Sequence, residues 1–413
     1  MQLCPRPSIG YIPSLRQVFK IDITVYPRLL NGTIQSIPSK SQAHRLLICG
    51  ALSDAPFHLY CPSTNDDIEA TADCLNALGA HITSIEGGYW VEPIKQLPKS
   101  ASLYCRESGS TLRFLLPVVA ALGVEATFIM EGRLPERPLS PLWEELQKMG
   151  AVLSRPTKNT ISCSGKLHSG HYTIDGSISS QFITGLLFAL SIIGNSKLTV
   201  TGQLESKPYI DITEDALSLF GVSADGYEFS PTVSYHTPGD ITVEGDWSNS
   251  AFWYGANQLG SSIHICGLNT DSKQGDCAIH RLAPALHKKA SIDCRDIPDL
   301  VPILAVIAGA QRGAVFHHIG RLRLKESDRV DAVCQMLHAL GAKATATADT
   351  LTVYPAKYQG CTIDSVGDHR IAMAAAIAAT VASAPVRILG AQCVRKSYKK
   401  FWEDYQLLGG HYE

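Results

Sequence analysis

The sequence predicts an α/β protein assembled from six related units. Two observations support this: apolar and amphipathic helices alternate along the chain with short strands between them, and polar motifs recur ahead of the apolar helices at a nearly constant interval. A repeat of this kind is typical of one structural unit copied along a chain. The motifs are spaced roughly 70 residues apart, with one shorter step, and are marked by Lys40, Ser110, Ser180, Ser248, Asp299 and His369.

The amphipathic helices are recognised by how they end. A leucine-rich turn is followed by glycine, which favours the left-handed conformation that stops a helix, and then by a strand-like stretch. This pattern predicts helix ends within residues 74–82, 145–153, 217–224, 336–344 and 405–412, with a version lacking glycine at 282–292.

The second kind of helix is apolar on nearly every side, which indicates burial. Such helices are predicted within residues 45–53, 112–123, 182–194, 252–260, 300–310 and 371–383.

Polar motifs are predicted at the starts of both kinds of helix, near Asp66, Arg137, Pro208, Gly275, Asp328 and Lys396 for the amphipathic ones. If the units are arranged alike, up to twelve helix N-termini face one cleft, and helix N-termini attract anions. Simple capping is the better interpretation of TNDD and SNS. A cation at the positive end of a helix dipole is unfavourable unless an anion binds there. The cations in question are Lys40, Arg45, Arg137, Lys325, Arg329, Arg370 and Lys396.

Composition excludes several functions. The 413 residues carry a net charge of −2, so no overall basic field favours nucleic acid or an anionic membrane. The twelve cysteines include no CxxC pair, which argues against a zinc site and favours reduced thiols in the cytoplasm. The longest apolar runs are too short to span a bilayer. Residues 1–20 lack the features of a signal peptide, and we expect a loosely ordered extension there.

The charged motifs indicate acid–base chemistry on anionic small molecules. Seven cations exceed what one monophosphate needs and suit two anionic ligands held side by side. Asp299 and Glu326 lie in the same motifs and are candidates for proton transfer. The sequence has no phosphate-binding P-loop, dinucleotide fingerprint, zinc-protease motif or serine nucleophile elbow, and nothing in it calls for a metal or a cofactor.

The motifs together resemble the 5-enolpyruvylshikimate-3-phosphate synthase family. They occur in the family's order: SKSQAHR, ESGSTLR, ERP, SSQF, SKPYIDIT, VEGDWS, IPDLVPILA, LKESDR and GDHRIAMA. The resemblance implies a two-domain inside-out α/β barrel with three βαβαββ-type units in each domain. The implied bounds are 1–37 for an extension and a strand that joins the second domain, 38–243 for the first domain and 244–413 for the second.

The resemblance also implies a reaction: transfer of the enolpyruvyl group of phosphoenolpyruvate to the 5-hydroxyl of shikimate 3-phosphate by a monomeric enzyme. By similarity, Asp299 is the base on the hydroxyl, while Glu326 and Lys40 handle the methylene proton. The residues implied to bind substrate are Lys40, Ser41, Arg45, Gly109, Ser110, Arg137, Ser179, Ser180, Gln181, Ser206, Tyr209, Asp299, Lys325, Arg329, His369, Arg370 and Lys396.

Three positions depart from the family's pattern. Glu107 replaces an asparagine, and we expect it to cap a helix or to pair with a neighbouring arginine. Arg321 stands where some members have an asparagine that touches the substrate. Lys399 replaces a proline, and we expect a looser turn there.

Two other functions remain open at this point. A sister enzyme transfers enolpyruvyl to a UDP-sugar, but it has an asparagine where this chain has Ser41 and a loop cysteine for which Cys105 lies in the wrong context. A non-catalytic protein that binds phosphorylated ligands or RNA ends would not need Asp299 and Glu326, and this chain has both.

Overall fold

The computed structural model describes residues 21–223, 226–230 and 234–413, so the expected extension at 1–20 lies outside the described residues. The fold is mixed α/β, as the sequence predicts. The α-helices in the described ranges are α1 (Lys40–Ala51), α2 (Asp66–Ala77), α3 (Gly109–Leu122), α4 (Leu142–Lys148), α5 (Ser180–Ile193), α6 (Lys207–Leu219), α7 (Trp247–Gln258), α8 (Ile279–Ala285), α9 (Val301–Ala310), α10 (Arg329–Ala339), α11 (His369–Ala379) and α12 (Phe401–Leu407).

Short strands separate the helices. They are β1 (Ile23–Tyr26), β2 (Asn31–Gln35), β3 (Phe57–Tyr60), β4 (His81–Ile85), β5 (Gly88–Glu92), β6 (Ser100–Arg106), β7 (Glu125–Met130), β8 (Ala151–Thr157), β9 (Thr160–Gly165), β10 (His171–Asp175), β11 (Ser196–Thr201), β12 (Glu228–Phe229), β13 (Ile241–Thr242), β14 (Ser262–Cys266), β15 (Ala290–Asp293), β16 (Ala314–His317), β17 (Ala344–Ala346), β18 (Thr350–Val353), β19 (Cys361–Asp364), β20 (Val386–Leu389) and β21 (His411–Tyr412).

These strands form six sheets within the described ranges. Their strand orders are β13-β3-β5-β4, β6-β7-β9-β8, β10-β11-β12, β14-β2, β15-β16-β18-β17 and β19-β20-β1-β21. In four of them an apolar helix joins two neighbouring parallel strands: α3 joins β6 to β7, α5 joins β10 to β11, α9 joins β15 to β16, and α11 joins β19 to β20. Parallel strands require such a crossover, and the helix then packs on the sheet, which explains why these helices are apolar all round.

All six apolar helices predicted from the sequence are confirmed, and polar side chains cap most of them. Ser39, Ser108, Ser179 and Asp368 each accept a hydrogen bond from a backbone amide in the first turn of their helix. Two starts differ from expectation. Helix α7 begins ahead of the serine cluster because Asp246 caps it, and α9 begins after Leu300 without a side-chain cap.

The glycine signals for helix ends are also confirmed. Gly79, Gly150, Gly221, Gly341 and Gly409 all have positive φ and follow α2, α4, α6, α10 and α12. A side chain at these positions would strain the backbone, which is why the turn requires glycine.

Buried apolar side chains form two separate cores. The first core takes its residues from 43 to 243, and the second takes them from 23–34 and 247–408. The chain passes between the cores twice, and the two passing segments lie side by side. There Ser39 N donates to Glu244 O over 2.7 Å, and Asp246 N donates to Ile37 O over 2.8 Å.

No helix in the described parts of the chain has the length and apolar character needed to cross a bilayer.

Candidate active site

A cavity of about 980 Å³, including its open mouth, lies between the two cores. Every predicted site residue except Lys396 lines it. Those residues are Lys40, Ser41, Arg45, Gly109, Ser110, Arg137, Ser179, Ser180, Gln181, Ser206, Tyr209, Asp299, Lys325, Glu326, Arg329, His369 and Arg370. Lys396 is adjacent, with its Nζ 3.7 Å from Glu326 Oε1.

The lining is strongly basic although the whole protein is nearly neutral. Eight lysine and arginine side chains face three carboxylates among the lining residues. Such an excess in a partly enclosed cleft attracts anions and concentrates them there.

Helix starts supply many of these groups, but not in the number expected. Residues at or next to the first turns of α1, α2, α3, α5, α6, α9, α10 and α11 line the cavity, whereas those of α4, α7, α8 and α12 do not. The prediction that Arg137 and Lys396 lie at helix starts was wrong. Arg137 directly follows a 3-10 turn and Lys396 ends another, so each precedes its helix by several residues and neither opposes a helix dipole.

Asp299 lies just ahead of α9 and accepts hydrogen bonds from three side chains. Arg329 Nη1 donates to its Oδ1 over 2.7 Å, Arg370 Nη2 to its Oδ2 over 2.8 Å, and the Tyr209 hydroxyl to Oδ2 over 3.1 Å. Burial opposes ionisation of Asp299, but Arg370, Lys325 and Arg329 outweigh it and hold its pKa well below the ordinary value. Asp299 is therefore ionised in the ligand-free cleft.

Glu326 is surrounded by cations from both cores. Arg329 Nη2 lies 2.9 Å from its Oε2, and Arg137 Nη1 and Lys396 Nζ lie 3.6 and 3.7 Å from its Oε1. Burial raises the pKa of Glu326, yet Arg137, Lys396 and Arg329 reverse that effect and keep it well below the ordinary value. Glu326 is therefore ionised in the ligand-free cleft.

Arg329 connects the two carboxylates. It is almost fully buried, and besides Asp299 and Glu326 it contacts Asp368, whose Oδ2 accepts from Nε over 2.9 Å. Asp368 also caps α11 through the Arg370 amide. One guanidinium thus fixes the spacing of Asp299 and Glu326, as expected of a preorganised site.

Lys40 opens α1 and forms an ion pair with Asp67, whose Oδ2 lies 3.0 Å from Nζ. Burial lowers the pKa of Lys40, but the neighbouring carboxylates of Asp67 and Glu326 raise it by more than burial lowers it. The ammonium therefore stays protonated. The sequence missed Asp67 because its motif reads as a helix cap, and Asn65 does cap α2. Asp67 lies on the side of α2 that packs against α1.

Four hydroxyl side chains and a second lysine also line the cavity. Ser179, Ser180, Ser206 and Tyr209 lie there with Lys325, whose Nζ is 4.0 Å from Asp299 Oδ1. Burial lowers the pKa of Lys325 to about 8, although Asp299 opposes the shift. This lysine therefore titrates near neutral pH.

Arg45 is held mainly by the protein. Its guanidinium donates to the hydroxyls of Thr213 and Thr184 and to the carbonyl oxygens of Tyr209 and Ser41, and it lies over the Phe114 ring at 5.0 Å. Arg45 thereby joins α1, α5 and α6 at the cavity wall.

Arg113 was not predicted. Its Nη1 donates to Gln181 Oε1 over 3.1 Å and its Nη2 to Pro138 O over 3.1 Å, while Nε has no partner. A Cβ on Gly109 would lie 2.6 Å from both Arg113 Nη1 and Arg137 Nη1, so glycine is needed where these cations converge. A charged residue within the apolar run LRFLL is the signal that could have identified Arg113.

His369 lies at the start of α11, fully buried, with both ring nitrogens unpartnered. Burial lowers its pKa well below the ordinary value, and Arg370 and Lys40 lower it further. His369 is therefore a neutral imidazole.

Two departures from the family's pattern contact the other core. Glu107 does not cap a helix, since Ser108 does, and it pairs with a lysine instead of the expected arginine: Lys396 Nζ is 3.8 Å from its Oε2. Lys399 forms ion pairs with Glu69 and Asp66 of α2, the second at 3.4 Å.

Within the described ranges, no group of three or more His, Cys, Asp or Glu side chains is arranged to hold a metal ion.

Comparisons with known proteins agree with this geometry. A family model described as EPSP synthase (3-phosphoshikimate 1-carboxyvinyltransferase) matches residues 26–288 and 280–405. The 3-phosphoshikimate 1-carboxyvinyltransferase of Clostridium kluyveri is 38% identical over 414 residues, which cover 94% of this chain and 97% of the relative. That of Clostridium beijerinckii is 35% identical over 427 residues, covering 95% and 98%.

A solved structure of EPSP synthase from Acinetobacter baumannii superimposes with a TM-score of 0.77 at 21% identity, covering 95% of this chain and 99% of that one. At this identity the likeness concerns the fold. The matches to the family model and to the curated relatives run along almost the whole chain and include the motifs that build the cleft. The chain belongs to the EPSP synthase family.

Proposed function

We propose that this protein transfers the enolpyruvyl group of phosphoenolpyruvate to the 5-hydroxyl of shikimate 3-phosphate, with release of phosphate. The observation that carries the proposal is the basic cleft, in which two ionised carboxylates, Asp299 and Glu326, lie beside a protonated lysine, Lys40. Family membership identifies the reaction that such a cleft serves.

The two substrates divide the cleft between them. We assign shikimate 3-phosphate to Lys40, Ser41, Arg45, Ser179, Ser180, Gln181, Ser206, Tyr209 and Lys325. We assign phosphoenolpyruvate to Gly109, Arg137, Gln181, Arg329, Arg370 and Lys396, with Ser110 and His369 beside them. Tyr209 and Lys325 both approach Asp299, whereas Arg137, Arg329 and Lys396 surround Glu326, and these contacts support the division.

In the addition step, Asp299 removes the proton of the 5-hydroxyl and the oxygen bonds to the substituted carbon of phosphoenolpyruvate. The methylene carbon takes a proton from the Lys40–Glu326 side and becomes a methyl group. In the elimination step, the C–O bond to phosphate breaks, the methyl group returns its proton, and the leaving phosphate takes the proton held by Asp299. These are general acid–base steps.

The charges around Glu326 explain how one carboxylate serves both steps. In the free protein Arg137, Lys396 and Arg329 keep it ionised. An anionic substrate that binds to those cations neutralises them, so its arrival raises the pKa of Glu326. Lys40 is protonated before any substrate arrives and is therefore the initial proton donor.

We also infer two domains, 38–243 and 244–413, with residues 1–37 contributing a strand to the second, in an inside-out α/β barrel of six units. The two cores, the six sheets and the pair of passing segments support this division. We infer a cytoplasmic monomer, for which the scattered cysteines without a CxxC pair favour a reducing compartment.

The test is phosphate release from phosphoenolpyruvate in metal-free buffer, with shikimate 3-phosphate, with a UDP-sugar acceptor, or with neither. We expect release only with shikimate 3-phosphate. Release only with the UDP-sugar would identify the sister reaction. Tight binding of shikimate 3-phosphate without release would indicate a binding protein and would contradict the proposal.

A further inference from the structure

An ion pair spans the cleft at a place that the proposed catalytic steps do not use. Glu205 directly precedes Ser206 and belongs to the first core's side of the cleft. Arg321 lies in a 3-10 segment, Gly320–Leu324, on the second core's side, and it lines the cavity. The Arg321 guanidinium pairs through Nε with the Glu205 carboxylate, and both side chains are mostly buried.

The other end of the same guanidinium points to a hydroxyl. Arg321 Nη2 donates to Ser206 Oγ over 2.6 Å and to Arg295 O over 3.1 Å. Ser206 itself has φ +56°, a left-handed conformation unusual for serine, and its N–H donates to the same Arg295 carbonyl over 3.1 Å. The contacts across the cleft therefore hold a strained serine and an arginine together.

The attraction between Glu205 and Arg321 does not fully offset the cost of burying their charges. Burial raises the pKa of Glu205 more than Arg321 lowers it. Burial likewise lowers the pKa of Arg321 although Glu205 opposes the shift. Two charges taken from water recover that cost only when further hydrogen bonds satisfy them. Arg321 therefore has more to gain from an additional anion than an exposed arginine would.

The position of Arg321 indicates which anion that is. Ser206, its hydrogen-bond partner, and Lys325, which directly follows the same 3-10 segment, both line the cavity and belong to the residues assigned above to shikimate 3-phosphate. Arginine binds phosphate through paired N–H groups, and such charge-assisted hydrogen bonds are about twice as strong as neutral ones.

We propose that Arg321 is a ligand of the phosphate of shikimate 3-phosphate and that Glu205 is its resident counter-anion, which the phosphate replaces as the main partner of the guanidinium. This inference rests on the proposed function, since it assigns a group of the substrate named there. Glu205 thereby competes with the phosphate for Arg321 and weakens the binding of phosphorylated ligands, while ligands that lack a phosphate leave the pair intact.

The experiment measures binding without turnover, by calorimetry, for shikimate 3-phosphate, unphosphorylated shikimate and inorganic phosphate. We expect Arg321→Gln to raise the Kd of shikimate 3-phosphate by roughly ten- to a hundredfold, the range of a lost charge-assisted hydrogen bond, and to leave shikimate within about threefold. Arg321→Lys keeps the charge but loses the paired N–H groups, so its Kd is expected to lie between those of wild type and Arg321→Gln. Glu205→Gln is expected to tighten shikimate 3-phosphate and inorganic phosphate several-fold.

Arg312→Gln is the matched control, because Arg312 is an exposed arginine on the same core and does not line the cavity. Thermal melting confirms that each variant is folded. Equal losses for shikimate 3-phosphate and shikimate would show that Arg321 only holds the two sides together and would overturn the proposal. Weaker or unchanged phosphate binding in Glu205→Gln would overturn the role of Glu205.

A further titration distinguishes whether Arg321 binds the phosphate of shikimate 3-phosphate or that of phosphoenolpyruvate. It measures the affinity of phosphoenolpyruvate for protein saturated with shikimate 3-phosphate. We expect it to stay within about twofold in Arg321→Gln, and a selective loss of phosphoenolpyruvate would overturn the assignment. Failure of wild-type protein to release phosphate would contradict the proposed function alone, since the binding ratios do not depend on turnover.

Discussion

Burial and neighbouring charges act in opposite directions on the ionisable side chains of the cleft. For Asp299 and Glu326 the surrounding cations prevail over burial, so both carboxylates stay ionised. For Lys325 burial prevails, and its pKa falls to about 8. Lys40 lies in the same cleft, yet its neighbouring carboxylates raise its pKa, so two lysines acquire different properties from their positions.

Asp299→Asn and Glu326→Gln are expected to lower turnover by about 10²- to 10⁴-fold, because each removes a proton-transfer group. Binding of shikimate 3-phosphate is expected to persist. Steady-state phosphate release and calorimetry measure the two effects separately. Glu86→Gln, an exposed carboxylate in the turn between β4 and β5, is the control. Turnover within threefold of wild type in either variant would contradict its catalytic role.

Binding of shikimate 3-phosphate is expected to weaken above about pH 8. The phosphate prefers the protonated form of Lys325, and the free protein loses that proton as the pH passes its pKa of about 8. The bound anion raises this pKa, so Kd increases by at most about tenfold per pH unit. Titration calorimetry between pH 7 and 9.5 measures the slope. The slope is expected to disappear in Lys325→Arg, and a flat wild-type profile would refute the assignment.

At the scale of helices and strands, local chemistry was sufficient for much of the fold. Glycine after a leucine-rich turn located the ends of α2, α4, α6, α10 and α12, because only a left-handed residue closes such an end without strain. Counting back from those ends failed at Arg137 and Lys396, since α4 and α12 have only seven residues each and 3-10 turns precede them. The length of a helix depends on its tertiary packing, and the spacing of repeated motifs in the sequence gives no information about that packing.

The contact between α3 and α5 depends on Gly185. A Cβ there would lie 2.3 Å from the Arg113 carbonyl oxygen, which is rigid backbone, whereas a Cβ on Gly255 would lie 2.4 and 2.5 Å from two side-chain atoms of Ile303, Cδ1 and Cγ1. Gly185→Ala is therefore expected to destabilise the protein by about 1–3 kcal/mol, the usual cost of overpacking.

Gly255→Ala is the matched control. We expect it to lose less stability, because the Ile303 side chain can shift and alanine favours the helix. Urea denaturation midpoints compare the two. A Gly185→Ala variant as stable as Gly255→Ala would show that α3 and α5 separate without cost.

For the whole molecule, the sequence predicted which residues would meet in the cleft better than how they would meet. Most of the residues singled out by the motifs line one cavity, because their motifs lie at the starts of the buried helices α1, α3, α5, α9 and α11, whereas the motif at the start of α7 does not line it. The pairing of Lys40 with Asp67 and of Glu205 with Arg321 was not predictable. Those contacts depend on which helices pack side by side and on how the two cores face each other across the cleft.

Shikimate 3-phosphate is expected to make the protein more compact. Cations of both cores, such as Lys40 and Lys325, line one cleft, so they repel each other until an anion binds between them. Small-angle scattering with and without saturating ligand measures the radius of gyration. Unphosphorylated shikimate at the same concentration is the control, and identical curves with and without shikimate 3-phosphate would exclude ligand-driven closure.

Strand β1 lies between β20 and β21, and Thr24 exchanges two backbone hydrogen bonds with Glu413, over 2.7 and 2.9 Å. On a ribosome this strand is made well before its neighbours in the sheet. The first core can close while synthesis continues, whereas the second cannot be completed until β20 and β21 have emerged. We therefore expect one side of the binding cleft to be able to fold before the other, with the early strand unpaired in the meantime.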